Sequence, residues 1–138
     1  MHAGVKGAGR TVMIVDDSRL SREMLREILE KEGYSIVAEA IDGNDAVEKY
    51  LETRPQVTVM DLMMPNKNGV YATREIKGID EGAKVLMCSS VELQSLTIAA
   101  VNAGALGVIF KPLVPAQVLE ALDAVFLWEQ QEHSSVIS

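Results

Sequence analysis

Five short apolar runs alternate with five stretches of helical periodicity: TVMIV (11–15), SIVAEA (35–40), VTVM (57–60), KVLMC (84–88) and GVIF (107–110). No other feature restricts the fold as strongly. Runs this short, and this continuously apolar, suit strands covered on both faces, as in a parallel sheet. Parallel neighbours need crossover connections, and the helical stretches supply them on either side. The expectation is an α/β fold: a doubly wound, five-stranded parallel sheet in a three-layer sandwich.

Local punctuation agrees with that alternation. Ser18 is suited to cap the first helix, in which Leu20, Met24, Ile28 and Leu29 are expected to recur on one face, and Gly33 suits its end. Asp42-Gly43 leads into the second helix and Asn68-Gly69 into the third, while Ser90 is placed to cap the fourth, which stops at Gly104. In the fifth, after Pro112, Val118, Leu122, Val125 and Phe126 share a face. The glycine-rich opening predicts a flexible arm over 1–10, then one domain over 11–129 and a polar tail over 130–138.

Composition narrows the function classes. A net charge of −7 argues against nucleic acid and anionic membranes as partners. Both histidines, His2 and His133, fall in the terminal segments, and the lone Cys88 sits in an apolar run as a buried, inert thiol. No stretch is apolar for the 18 or so residues of a membrane span, and no secretory signal opens the chain. The expected location is cytoplasmic.

One local oddity then demands a cause. The stretch VMIVDDS (12–18) runs a buried strand straight into two aspartates. Like charges about 4 Å apart repel by ~4 kcal/mol at an effective dielectric of 20, so a cation belongs nearby. In doubly wound sheets, ligands bind beyond the carboxyl ends of the strands, where strand order reverses. That edge collects Asp16 and Asp17 after the first strand, Asp61 after the third, Ser89 and Ser90 after the fourth, and Lys111-Pro112 after the fifth. Three carboxylates suit a hard cation such as Mg2+. With a lysine and a hydroxyl beside them, they suit phosphoryl transfer to a carboxylate. A small-molecule phosphohydrolase fits less well, because apolar Leu62 and Met63 follow Asp61 where a second acid or base would be wanted. A cofactor binder that cradles phosphate would want Gly, Ser and Thr after the first strand, where Asp-Asp repels anions.

The segments VDDS (15–18), DLMMPNKNG (61–69), CSS (88–90) and GALGVIFKP (104–112) together resemble the receiver domain of bacterial two-component response regulators, over about Thr11 to Trp128. The resemblance is greatest to single-domain forms such as those of chemotaxis. It implies a flavodoxin-like sheet in the order 2-1-3-4-5, and a signalling switch that catalyses only its own phosphorylation and dephosphorylation. Asp61 would be the phosphoacceptor for a phosphohistidine on a sensor kinase. Mg2+ would sit on Asp16, Asp17, Asp61 and the Met63 carbonyl. Ser89 would be the switch hydroxyl, and Lys111 the partner of Asp61 and then of the phosphoryl group, with a Lys111–Pro112 bond that is often cis. Pro65 and Gly69 would shape the adjoining loop.

The same resemblance implies kinase docking near Arg19, Leu20, Arg22 and Met24. A downstream target, or a second copy, would bind across the fourth helix, fifth strand and fifth helix, with Ile98 and Val101 inward and Leu93, Leu96 and Val108 at the surface. A phosphorelay intermediate is the alternative role. The chain departs from the family at Val108, where an aromatic is usual. Ser90 stands where Ala is common, and Met63 is bulky at a rate-tuning position.

Overall fold

Hydrogen bonding joins the five apolar runs into one parallel sheet. The strands are β1 (Thr11–Val15), β2 (Ser35–Ala40), β3 (Val57–Asp61), β4 (Val85–Ser89) and β5 (Gly107–Phe110), in the order β2-β1-β3-β4-β5. Between and after them lie α1 (Arg19–Lys31), α2 (Gly43–Thr53), α3 (Gly69–Ile79), α4 (Gln94–Asn102) and α5 (Pro115–Ile137). The computed structural model describes residues 7–90 and 94–137, with side-chain surroundings for 7–90 and 95–127.

Strand alternation splits the core into two halves. Met13, Val15, Met60, Val85 and Met87 face α2, α3 and α4, while Val12, Ile14, Val57, Val59, Leu86 and Cys88 face α1 and α5. Every residue of β3 and β4 is buried, as two-sided coverage requires. Val118, Leu122, Val125 and Phe126 of α5 are all buried, as their spacing predicts.

The caps follow the sequence. Ser18, Asp42 and Asn68 accept hydrogen bonds from the amides of Ser21, Asp45 and Tyr71, and Gly33 takes a φ of 91° past the end of α1. Between Ser90, the expected cap of α4, and Gln94 the chain lies outside the described residues.

Two helix faces differ from expectation. In α1 the buried pair is Leu25 and Leu29, whereas Leu20 and Met24 are 67% and 43% exposed. At 100° per residue Leu20 and Leu29 fall on opposite sides of the helix, so they cannot share a stripe, whereas Leu25 and Leu29 stand one turn apart. In α4 the expected orientation is reversed. Ile98 and Val101 are 65% and 51% exposed, and Thr97, Ala100 and Ala103 are buried, with Leu96 packed against the core from the side. Alanines at 100 and 103 let the helix lie close to the sheet, which bulkier residues at those positions would prevent. Leu93 and Val91 lie outside the described residues.

Packing also begins ahead of the expected boundary at Thr11. The Gly7 amide donates to the Glu32 carbonyl at 2.7 Å, and a Cβ on Gly7 would come within 2.4 Å of the Tyr34 nitrogen. The Arg10 guanidinium lies 4.0 Å from the centre of the Phe126 ring. At the other end, α5 runs past 129 to Ile137.

Candidate functional site

The switch point of the sheet lies between β1 and β3, which pair directly while the chain leaves them toward opposite edges. Asp16 continues β1, and its amide donates to the Ala40 carbonyl at 3.0 Å, which fixes the strand end against β2. Asp61 is the last residue of β3 and pairs with Cys88 of β4. Lys111 directly follows β5 and is joined to Pro112 by a cis peptide, and its amide donates to the Ser89 carbonyl at 2.8 Å. Four neighbouring strands therefore deliver their end residues to one corner.

Side chains complete the cluster. One carboxylate oxygen each from Asp16, Asp17 and Asp61 lies within 4.8 Å of the others. Lys111 Nζ stands 3.1 Å from Asp16 Oδ2 and 3.3 Å from Asp61 Oδ1. Asp16 Oδ1 accepts the Ser18 amide at 2.9 Å, which ties the first carboxylate to the start of α1. Asp16 and Asp61 are buried, and Asp17 is exposed.

Electrostatics at this corner are unbalanced, with three carboxylates facing one ammonium. Burial, and then the charge of Asp16, push the Asp61 carboxyl up to about 6 against the pull of Lys111. Burial opposes the Lys111 charge, yet Asp61 and Asp16 outweigh it and hold the ammonium above its ordinary value. A divalent cation on the three carboxylates would relieve that excess, and the all-oxygen donor set suits a hard ion. The residues present fit such an ion.

Around the cluster the loops are tightly made. Ser89 is buried, and its hydroxyl donates to the Ser90 carbonyl at 3.0 Å. Met63 stands exposed just past Asp61. Gly69 lies so close that a Cβ there would come within 2.6 Å of the Asp61 carbonyl oxygen, so only glycine leaves room. The Lys67 amide donates to the Pro65 carbonyl at 2.8 Å, and Asn66, at a φ of 66°, donates from its side chain to Asp42 at 2.8 Å. The β3–α3 loop is thereby pinned to the cap of α2. Cys88, on the far side of the sheet, is buried and its thiol is pushed up to about 12 by that burial, which keeps it inert. Val108 is half-buried at the β5–α4 side.

Of the residues that the sequence analysis set at this edge, Asp16, Asp17, Asp61 and Lys111 meet through their side chains, and Ser89 ends the neighbouring strand β4. Sequence reasoning missed the support beneath it. Arg22 Nη1 donates to the Asp16 carbonyl at 2.8 Å and Nε to Glu39 at 2.9 Å. Nothing in the spacing of Arg22 and Glu39 signals a link that forms only when α1 lies on β2.

An open doubly wound sheet with a lysine-bridged carboxylate cluster at its switch point defines the class. The response regulator receiver domain model matches residues 12–123. The chain belongs to that family. Among curated relatives, it is 45% identical to the chemotaxis protein CheY of Thermotoga maritima over 85% of this chain and 98% of that one. It is 46% identical to CheY of Bacillus subtilis, over 81% and 93%. Among solved structures, the CheX–CheY–BeF3–Mg2+ complex from Borrelia burgdorferi is similar at a TM-score of 0.81 and 34% identity, covering 85% of this chain and 89% of that one. The fold is that of a signalling receiver, and no helix among the described residues is long and apolar enough to cross a membrane.

Proposed function

We propose that the protein accepts a phosphoryl group on Asp61 from a phosphohistidine of a sensor kinase, as a chemotaxis-type response regulator. The observation that carries the reading is the meeting of Asp16, Asp17, Asp61 and Lys111 at one corner, with Asp61 at the strand end and its charge incompletely balanced. An Asp61 oxygen attacks phosphorus, the phosphorus–nitrogen bond breaks, and its electron pair returns to the kinase imidazole. The product is an acyl phosphate on Asp61.

Asp16, Asp17, Asp61 and the Met63 carbonyl are the proposed holders of Mg2+. When bound, the ion neutralises the carboxylates and screens the incoming phosphoryl charge. Lys111 first bridges Asp16 and Asp61 and then turns to the phosphoryl oxygens. The Ser89 hydroxyl exchanges the Ser90 carbonyl for a phosphoryl oxygen.

Magnitudes show how the switch is shared. One charge-assisted hydrogen bond contributes ~1.5–3 kcal/mol. Driving an equilibrium from 1:99 to 99:1 takes ~5.5 kcal/mol. Ser89 alone is insufficient, so Lys111 and partner binding supply the remainder. With valine at 108, relay runs through backbone and packing shifts rather than through a turning aromatic ring.

The kinase side of the molecule is the face that exposes Leu20 and Met24, where Met24 also borders a groove of about 350 Å3 with Ile28, Leu113 and Leu119. Arg19 is paired with Glu23 at that face. The output side, for a protein target or a second copy, spans α4, β5 and α5. There Ile98 and Val101 of α4 offer the apolar contacts first assigned to Leu93 and Leu96, while Val108 and Phe110 of β5 line a groove with α5. The deciding experiment is Mg2+-dependent labelling by a small phosphodonor. Wild type incorporates label and Asp61→Asn does not; equal label in both would remove Asp61 as acceptor.

A further inference from the structure

Arg22 leaves the first turn of α1 and turns back under the acidic corner. Its Nη1 donates to the Asp16 carbonyl at 2.8 Å, gripping the peptide that joins Asp16 to Asp17. Its Nε donates to Glu39 Oε1 at 2.9 Å, and Arg26 Nε donates to Glu39 Oε2 at 2.8 Å. The Glu39 carbonyl in turn accepts Lys49 Nζ at 2.7 Å. Only 15% of the Arg22 side chain is exposed, so it is not a free surface cation.

Each bond restricts the next. A planar guanidinium held at two of its nitrogens has a fixed orientation, which a lysine at the same place would not have. Glu39 lies on the edge strand β2, one residue before Ala40, whose carbonyl accepts the Asp16 amide. The Asp16 backbone is thus held at its amide by β2 and at its carbonyl by Arg22, which is itself fixed to β2. Groups that orient metal-binding side chains from one layer out alter affinity about 10–100-fold when removed.

We infer that Arg22 is a positioning residue for the cation seat, held in place by Glu39 and acting on the Asp16–Asp17 peptide. The inference rests on the reading of Asp16, Asp17 and Asp61 as the Mg2+ site. Arg22 touches neither the phosphoryl group nor the reacting oxygen; it sets where two of the three carboxylates stand.

Titration of the full chain with Mg2+ alone, followed by amide chemical shifts and paired with urea unfolding, tests it. Arg22→Met is expected to weaken Mg2+ binding about tenfold. Glu39→Gln is expected to weaken it less, and the double variant no more than Arg22→Met, because the two residues act in series. Arg26→Met removes a neighbouring bond to the same Glu39 without touching Asp16. It is expected to lower stability while Mg2+ affinity stays within about twofold of wild type. Wild-type affinity in Arg22→Met overturns the inference even if that variant is less stable, as does equal weakening in Arg26→Met. If Arg22→Met does not fold, Glu39→Gln with wild-type affinity overturns it. A wild type with no saturable Mg2+ response removes the cation site and the inference together, which separates the two failures.

Discussion

The two ends of the sheet solve opposite problems. At the amino end, β1 and the residue before β3 exchange neutral hydrogen bonds. The Thr11 amide donates to Gln56 Oε1 at 2.9 Å, and the Gln56 amide is shared between the Thr11 hydroxyl at 2.9 Å and carbonyl at 3.0 Å. Donors and acceptors match there, and no ion is needed. At the carboxyl end the same two strands terminate in Asp16 and Asp61, which face each other and Asp17 across one lysine. The difference teaches that the sheet is closed for stability at one end, while at the other it keeps electrostatic strain that a ligand can relieve.

The largest test of that contrast is Lys111→Met. Removing the cation that bridges Asp16 and Asp61 should destabilise the metal-free protein by about 2 kcal/mol at pH 8, below the full cost of breaking a buried pair because the lysine is partly solvated. Saturating Mg2+ should recover much of the loss in urea unfolding. A loss indifferent to Mg2+ would break the comparison.

Next in size is the pH dependence of Asp61. Its folded carboxyl is raised from 3.8 to about 6, so its contribution to stability is complete below pH 4 and is lost as pH rises through about 6. In the absence of metal, Asp61→Asn should be more stable than wild type by about 1–2 kcal/mol at pH 7.5, after allowance for solvent screening and the loss of the Lys111 pair. The advantage should shrink toward pH 4. Melting curves at the two pH values check the sign, and a wild type more stable than Asp61→Asn at pH 7.5 without metal contradicts it.

Smaller effects belong to the quiet end and to the surface. Gln56→Ala should cost about 0.5–1 kcal/mol, equally with and without Mg2+, and leave phosphodonor labelling unchanged. Ile98→Glu should alter stability by less than about 0.5 kcal/mol, since the side chain is already solvated. Its effect should appear in binding of the phosphorylated protein to a target or to a second copy, measured by sedimentation. A severe loss of stability would mean that α4 buries Ile98 after all.

Legibility followed the physics of each signal. The strands could be read because two-sided burial imposes a continuous apolar run, and Ser18, Asp42 and Asn68 because caps are local. The α4 orientation could not, because apolar residues surround that helix and two rows compete for the sheet. Ala100 and Ala103 prevailed through closeness of approach, a quantity that hydrophobicity does not encode. In α1, two leucines one turn apart prevailed over a stripe that drifted around the helix.

What the sequence by itself determined is the set of elements, the βα order and the chemistry gathered at strand ends, since these depend on periodicity, turn residues and residue type. Only the tertiary structure decided which face of α4 is buried, how far Asp61 is raised, and that Arg22 reaches from α1 to brace the Asp16–Asp17 peptide against Glu39. Those outcomes depend on distances between elements far apart in the chain. Electrostatic and packing energies change over a few ångströms that no residue order specifies.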